Sequence, residues 1–134
     1  MTFKELVRHA LYAEMDDITS FGEEAELFGA DPRAEGLRGF FEGLAEEKRA
    51  RLKELGRIFK EGTGFRQRAA APAKSLEAAL RAHVARSAHS LKVYEELQKH
   101  FNKPEYKEAM AACLLREKAI LDEIRGLQAR LKTP

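Results

Sequence analysis

FEGLAEEKRARLKEL, Phe41 to Leu55, is the stretch on which the fold turns. Phe41, Leu44, Lys48, Leu52 and Leu55 follow one another at steps of three and four, the spacing of one face of an α-helix. The residues between them are mostly charged and form a solvated face with i,i+4 pairs such as Glu47–Arg51. Lys48 is the anomaly, because it puts a cation in the middle of a stripe that must face a core.

Working outward, the same stripe takes in Leu37 and Phe40 upstream and Phe59 downstream, which predicts a helix over 32–61. Asp31-Pro32 supplies its start and Gly62-Thr63-Gly64 its end. Gly36, Gly39 and Gly43 weaken its early turns by about 1 kcal/mol each relative to alanine. Close approach of a neighbouring helix and simple fraying are both open explanations. The same periodicity predicts a helix over 2–28 on Phe3, Leu6, Val7, Ala10, Leu11, Glu14, Ile18, Phe21 and Ala25, capped by Thr2 with Glu5 in the reciprocal position. A third runs over 74–100 on Leu76, Leu80, Val84, Ser87, Leu91, Tyr94 and Leu97. A fourth runs over 104–132 on Tyr106, Met110, Cys113, Leu114, Leu121, Ile124, Leu127 and Leu131.

Two of the three joints are short, near Gly29–Asp31 and Phe101–Lys103, and short joints make antiparallel neighbours. The middle one, GTGFRQRAAAPA from Gly62 to Ala73, has 12 residues. Extended, it reaches about 40 Å, close to the roughly 42 Å of a helix of about 28 residues. It can therefore return the chain along the whole bundle. Two antiparallel hairpins joined by a long crossover are the expected architecture; a plain up-down bundle is the alternative. The whole chain, 1–134, reads as a single all-α domain, a four-helix bundle.

Composition excludes several functions. The balance of 24 Lys plus Arg against 22 Asp plus Glu leaves a net charge of +2, too small for nucleic-acid binding to be expected. Arg66 and Arg68 beside Phe65 are a small basic patch without a platform to join it. No apolar run is long enough to span a membrane, and MTFKELVRH carries no signal-peptide core. The lone Cys113 cannot form an internal disulfide, and it reads as a buried, inert thiol in a cytoplasmic protein. No phosphate-cradling glycine loop is present.

The halves also repeat. LAEEKRARLKELG (Leu44 to Gly56) is similar to LLREKAILDEIRG (Leu114 to Gly126), and Glu14 to Phe21 matches Ser87 to Tyr94 in spacing. With these residues the chain resembles the ferritin-like superfamily, in particular the rubrerythrin-type diiron domain. The resemblance covers about Phe3 to Leu131 as a pattern. It implies a ligand carboxylate on the first and third helices, each followed by Tyr seven residues on, and Glu-x-x-His on the second and fourth. Here Glu14 keeps its place with Phe21 for the Tyr, and Tyr94 is kept with Ser87 for the carboxylate. Lys48 and Arg51 stand for one Glu-x-x-His, and Lys118 and Leu121 for the other. A one-residue shift would instead bring in Glu47 and Glu117, but no histidine.

The expected centre is therefore an altered one, built from Glu14, Asp17, Lys48, Arg51, Ser87, Lys118 and Leu121, with the carboxylates offsetting the cations. No metal is expected there; if one binds, Glu14, Asp17, Glu47 and Glu117 are the ligands available. The three cations exceed the two carboxylates, so a small anion or ligand is an alternative occupant. The histidines His9, His83, His89 and His100 read as satisfied or surface rings, with a new metal site as the alternative although no close ligand cluster appears, and the acidic run at Glu23 reads as a solvated face. No catalytic residue and no cofactor are assigned. The expected function is that of a non-catalytic bundle acting through self-association, as a homodimer, or through a protein partner. The alternative implied by the resemblance is an iron-dependent oxidoreductase or peroxide-reducing protein.

Overall fold

The computed structural model describes residues 1–60 and 73–132. Four helices account for most of them: α1 (Phe3–Phe28), α2 (Leu37–Phe59), α3 (Leu76–Lys99) and α4 (Pro104–Lys132). Thr2 caps α1, its hydroxyl accepting from the Glu5 backbone N–H. Ser75 does the same for α3, accepting from Ala78 N–H at 3.1 Å. Pro104 opens α4, where a missing N–H is harmless.

The expected start of α2 at Pro32 is corrected to Leu37. Asp31 draws the chain into a local turn, its Oδ1 accepting from Arg33 N–H at 2.9 Å. Gly36 then adopts a left-handed φ of 74°, which breaks helical continuity and becomes the N-cap. The helix stops at Phe59, where Lys60 turns left-handed and returns its N–H to the Gly56 carbonyl. The expected crossover, with Phe65, Arg66 and Arg68, lies almost wholly outside the described residues.

Ring contacts give the directions of the helices. Phe3 meets Phe59 and Phe101 at one end of α1, with centroids 6.4 and 5.8 Å away. Phe21 meets Phe41 and His83 towards the other end, at 6.2 and 4.0 Å. Helix α1 is thus antiparallel to both α2 and α3, and α2 and α3 run in the same direction. That is the crossover connectivity of a ferritin-like four-helix bundle, two hairpins joined through α1 against α3.

The core comes in two apolar parts. One gathers Leu6, Leu11, Leu55, Phe59, Leu97 and Met110. The other gathers Phe21, Leu37, Phe41, Leu80, Ile124 and Leu127. Gly29 lets the first hairpin close, since a Cβ there would sit 2.9 Å from Arg38 Cβ. Close approach does not explain Gly36, Gly39 or Gly43, because a Cβ added to any of them meets nothing within 4 Å. Helix α3 is also rolled from its expected face: His83, Ser90 and Val93 are buried, while Val84 and Leu91 are only half-buried. No described helix is long and apolar enough to cross a membrane.

Candidate functional site: a buried ion-pair centre

Between the two apolar parts lies a layer of charge. Glu14 and Asp17 reach it from α1, one turn apart on the buried face. Lys48 and Arg51 reach it from α2, again one turn apart, and both are buried. Ser87 and Tyr94 enter from α3 and Glu117 from α4. The Lys48 side chain is wholly enclosed, with 0% exposure. Its Nζ lies 2.5 Å from Glu117 Oε1, 3.0 Å from Asp17 Oδ2 and 3.2 Å from Glu14 Oε1. Arg51 Nη1 donates to Glu14 Oε1 at 3.3 Å and also to Glu117. Ser87 Oγ donates to Glu117 and the Tyr94 hydroxyl to Glu14.

The layer continues along α1 towards a second cluster. Arg86 Nε donates to Asp17 Oδ1 at 2.5 Å. His83, 2% exposed, lies flat on Phe21 with centroids 4.0 Å apart. Its Nε2 is 2.7 and 3.0 Å from the two oxygens of Glu24. Its Nδ1 is 3.1 Å from Arg86 Nη2 and 3.5 Å from Asp17 Oδ1. A neutral ring donates from Nε2 to Glu24 and accepts at Nδ1 from Arg86; an imidazolium turns Nδ1–H to Asp17.

Electrostatics keep these groups charged. Burial opposes the Lys48 ammonium, but Glu14, Asp17 and Glu117 outweigh it and hold its pKa above the ordinary lysine range. Arg51 is held charged in the same way, against burial, by Glu14 and Glu117. Burial also opposes the Asp17 and Glu117 carboxylates, yet Lys48 and its neighbouring cations pull both below the usual range. Burial pushes the Tyr94 phenol well up, with Glu14 adding to it, so the hydroxyl stays a donor. For His83, burial lowers the pKa, but hydrogen bonds to Asp17 and Glu24 more than offset it and leave it raised.

The chemistry open to this arrangement is narrow. A protonated Lys48 has no lone pair for nucleophilic attack. Burial pushes the Cys113 thiol up as well, away from the reactive thiolate. Among the described residues, no group of three or more His, Cys, Asp or Glu side chains is placed to hold a metal ion. Three carboxylates do converge, but on an ammonium, and the guanidinium of Arg51 stands beside it. These residues do not fit a diiron centre, whose metal charge needs anionic oxygens and imidazoles rather than cations. Three buried polar atoms have no hydrogen-bond partner among the described residues: Glu14 Oε2, Arg51 Nη2 and Ser90 Oγ.

The sequence-derived residues fall into place unequally. Glu14, Asp17, Lys48, Arg51 and Ser87 come together, and Leu121 is buried nearby in α4. Lys118 does not join them; it is exposed, and Glu117 takes the inward position. The register of α4 decides this: Glu117 falls in line with Met110, Cys113, Leu114, Ile120, Ile124 and Leu127, all buried. Glu47 remains at the rim, 30% exposed, held by Arg116 at 2.5 Å. The expected surplus of cations therefore disappears. Glu14, Asp17 and Glu117 face Lys48, Arg51 and Arg86, three charges against three.

His83, Glu24 and Arg86 are the participants that sequence reading missed. Glu24 is buried, not on a solvated face as the acidic run suggested. Its signal was its spacing, seven residues after Asp17 and three after Phe21, which places it on the inward face of α1. His83 lies four residues before Ser87, one turn along α3. Compared with known protein families, curated proteins and solved structures, the chain matches none.

Proposed function

We propose that this protein is a non-catalytic member of the ferritin-like fold, related in pattern to rubrerythrin-type domains, in which lysine and arginine have taken over the centre. It acts as a structural or interaction bundle, through self-association as a homodimer or through a protein partner. One observation carries this reading: the Lys48 ammonium stands 2.5–3.2 Å from carboxylates of α1 and α4, which converge on it. The carboxylates are thereby spent on internal cations, and among the described residues the three carboxylates of the centre are matched by three cations, which weighs against a small-anion site. Exposed Leu27 and Leu115 supply apolar surface for association.

The test is the metal content of purified protein after incubation with ferrous iron in air. No stoichiometric iron in the core is expected, and no oxo-bridged absorbance. Roughly two irons per chain, lost in Glu14→Gln and Glu117→Gln variants, would restore the oxidoreductase reading. Light scattering on the eluted protein checks the dimer, and a monomer at all concentrations would remove self-association from the proposal.

A further inference from the structure

Outside the buried centre, α1 and α3 bring two histidines together on the surface. His9 and His89 are both exposed, and their rings lie 5.9 Å apart between centroids at an interplanar angle of 72°. They are 80 residues apart in sequence, and α1 belongs to one hairpin and α3 to the other. Among the described residues no hydrogen bond or ion pair ties up either ring, so both rings are free to turn about their side-chain bonds.

We propose that His9 and His89 form a two-imidazole site for a divalent transition-metal ion of the zinc, nickel or copper type. The separation suits this chemistry. An ion about 2 Å from one nitrogen of each ring brings the ring centres to roughly 5–6 Å. Imidazole is the ligand these ions share, whereas magnesium and calcium prefer oxygen. Water completes the coordination, since the pair faces solvent. The flanking turns carry Glu5 four residues before His9 and Lys92 three after His89, with Arg8 and Arg86 also within a turn. The bound ion joins the first hairpin to the second across the α1–α3 groove, so it binds the assembled bundle better than separated hairpins. Its binding is therefore linked to stability.

The experiment is calorimetric titration of the full chain with zinc chloride, paired with thermal unfolding with and without zinc. One zinc per chain and a raised unfolding midpoint are expected. His9→Ala and His89→Ala should each weaken binding by at least about tenfold and abolish the midpoint rise. Both positions are exposed, so the variants fold; His100→Ala should bind like the wild type. No zinc uptake by the wild type, or undiminished uptake by the His9→Ala/His89→Ala double variant, would overturn the proposal. The centre is probed separately: iron lost with Glu14 or Glu117 speaks to the core, zinc lost with His9 or His89 only to this site.

Discussion

The Lys48 half of the buried centre and its His83 half use similar materials and hold charge in different ways. Lys48 is gripped by carboxylates from α1 and α4, with Arg51 beside it and Ser87 and Tyr94 bracing the carboxylates from α3. Every helix contributes, and its cations stay charged at any ordinary pH. His83 is gripped by Glu24 and Asp17 from α1 and by Arg86 from its own helix. Two helices contribute, and the central group titrates. The Lys48 half therefore behaves as a fixed clasp joining both hairpins, and the His83 half as a clasp whose strength depends on pH. Asp17 connects them, since it binds Lys48 on one side and Arg86 on the other.

Breaking the fixed clasp should have the largest effect. Lys48→Met leaves Glu14, Asp17 and Glu117 short of their shared cation inside the core. Destabilisation of about 3–5 kcal/mol is expected by urea unfolding. The Lys48→Met/Glu117→Met double variant should cost less than the sum of the single changes, by about 1–3 kcal/mol. Simple additivity would mean that the pair is not coupled, against the geometry.

His83→Ala should come next, at about 2 kcal/mol, from an unpaired Glu24 and lost packing on Phe21. A loss equal to that of Lys48→Met would erase the distinction between the halves.

The pH dependence sharpens it. His83 has a folded pKa above its ordinary 6.5, so its contribution is complete below that value and is lost as pH rises through the folded pKa. Asp17 and Glu117 act in the opposite sense. Their folded pKa values lie below the ordinary 3.8 and 4.5, so their contribution is present above those values and fades on acidification. Urea midpoints measured from acid to alkaline pH should fall on both sides, and His83→Gln should remove the alkaline fall while keeping the acid one. An unchanged alkaline slope in that variant would place the titrating group elsewhere.

The smallest effect is a control outside both halves. Gly39→Ala and Gly43→Ala place a methyl in open space on α2 and should each stabilise by under about 1 kcal/mol. A loss on either substitution would show a packing role for these positions that the structure does not contain.

The helices were legible because apolar spacing is a local property that each helix carries in its own residues. Phe41, Leu44, Lys48, Leu52 and Leu55 share a face wherever the helix is placed, and all five are buried. The altered centre was legible in part for the same reason: Lys48 and Arg51 stand on the inward stripe of α2. The α4 partner was misplaced by one residue because KAIL and EKAI each offer an apolar face. A roll of about 100° exchanges Lys118 for Glu117.

Sequence by itself determined four amphipathic helices, the short joints that pair them, and a cation on the core face of α2. Only the tertiary structure decided what that cation meets. The roll of α3 brought His83 rather than Val84 inward, and the roll of α4 chose a carboxylate over a second lysine. Both choices depend on burying charges with their partners. A buried charge is tolerable only where an opposite charge arrives from another helix, and no single helix carries that information.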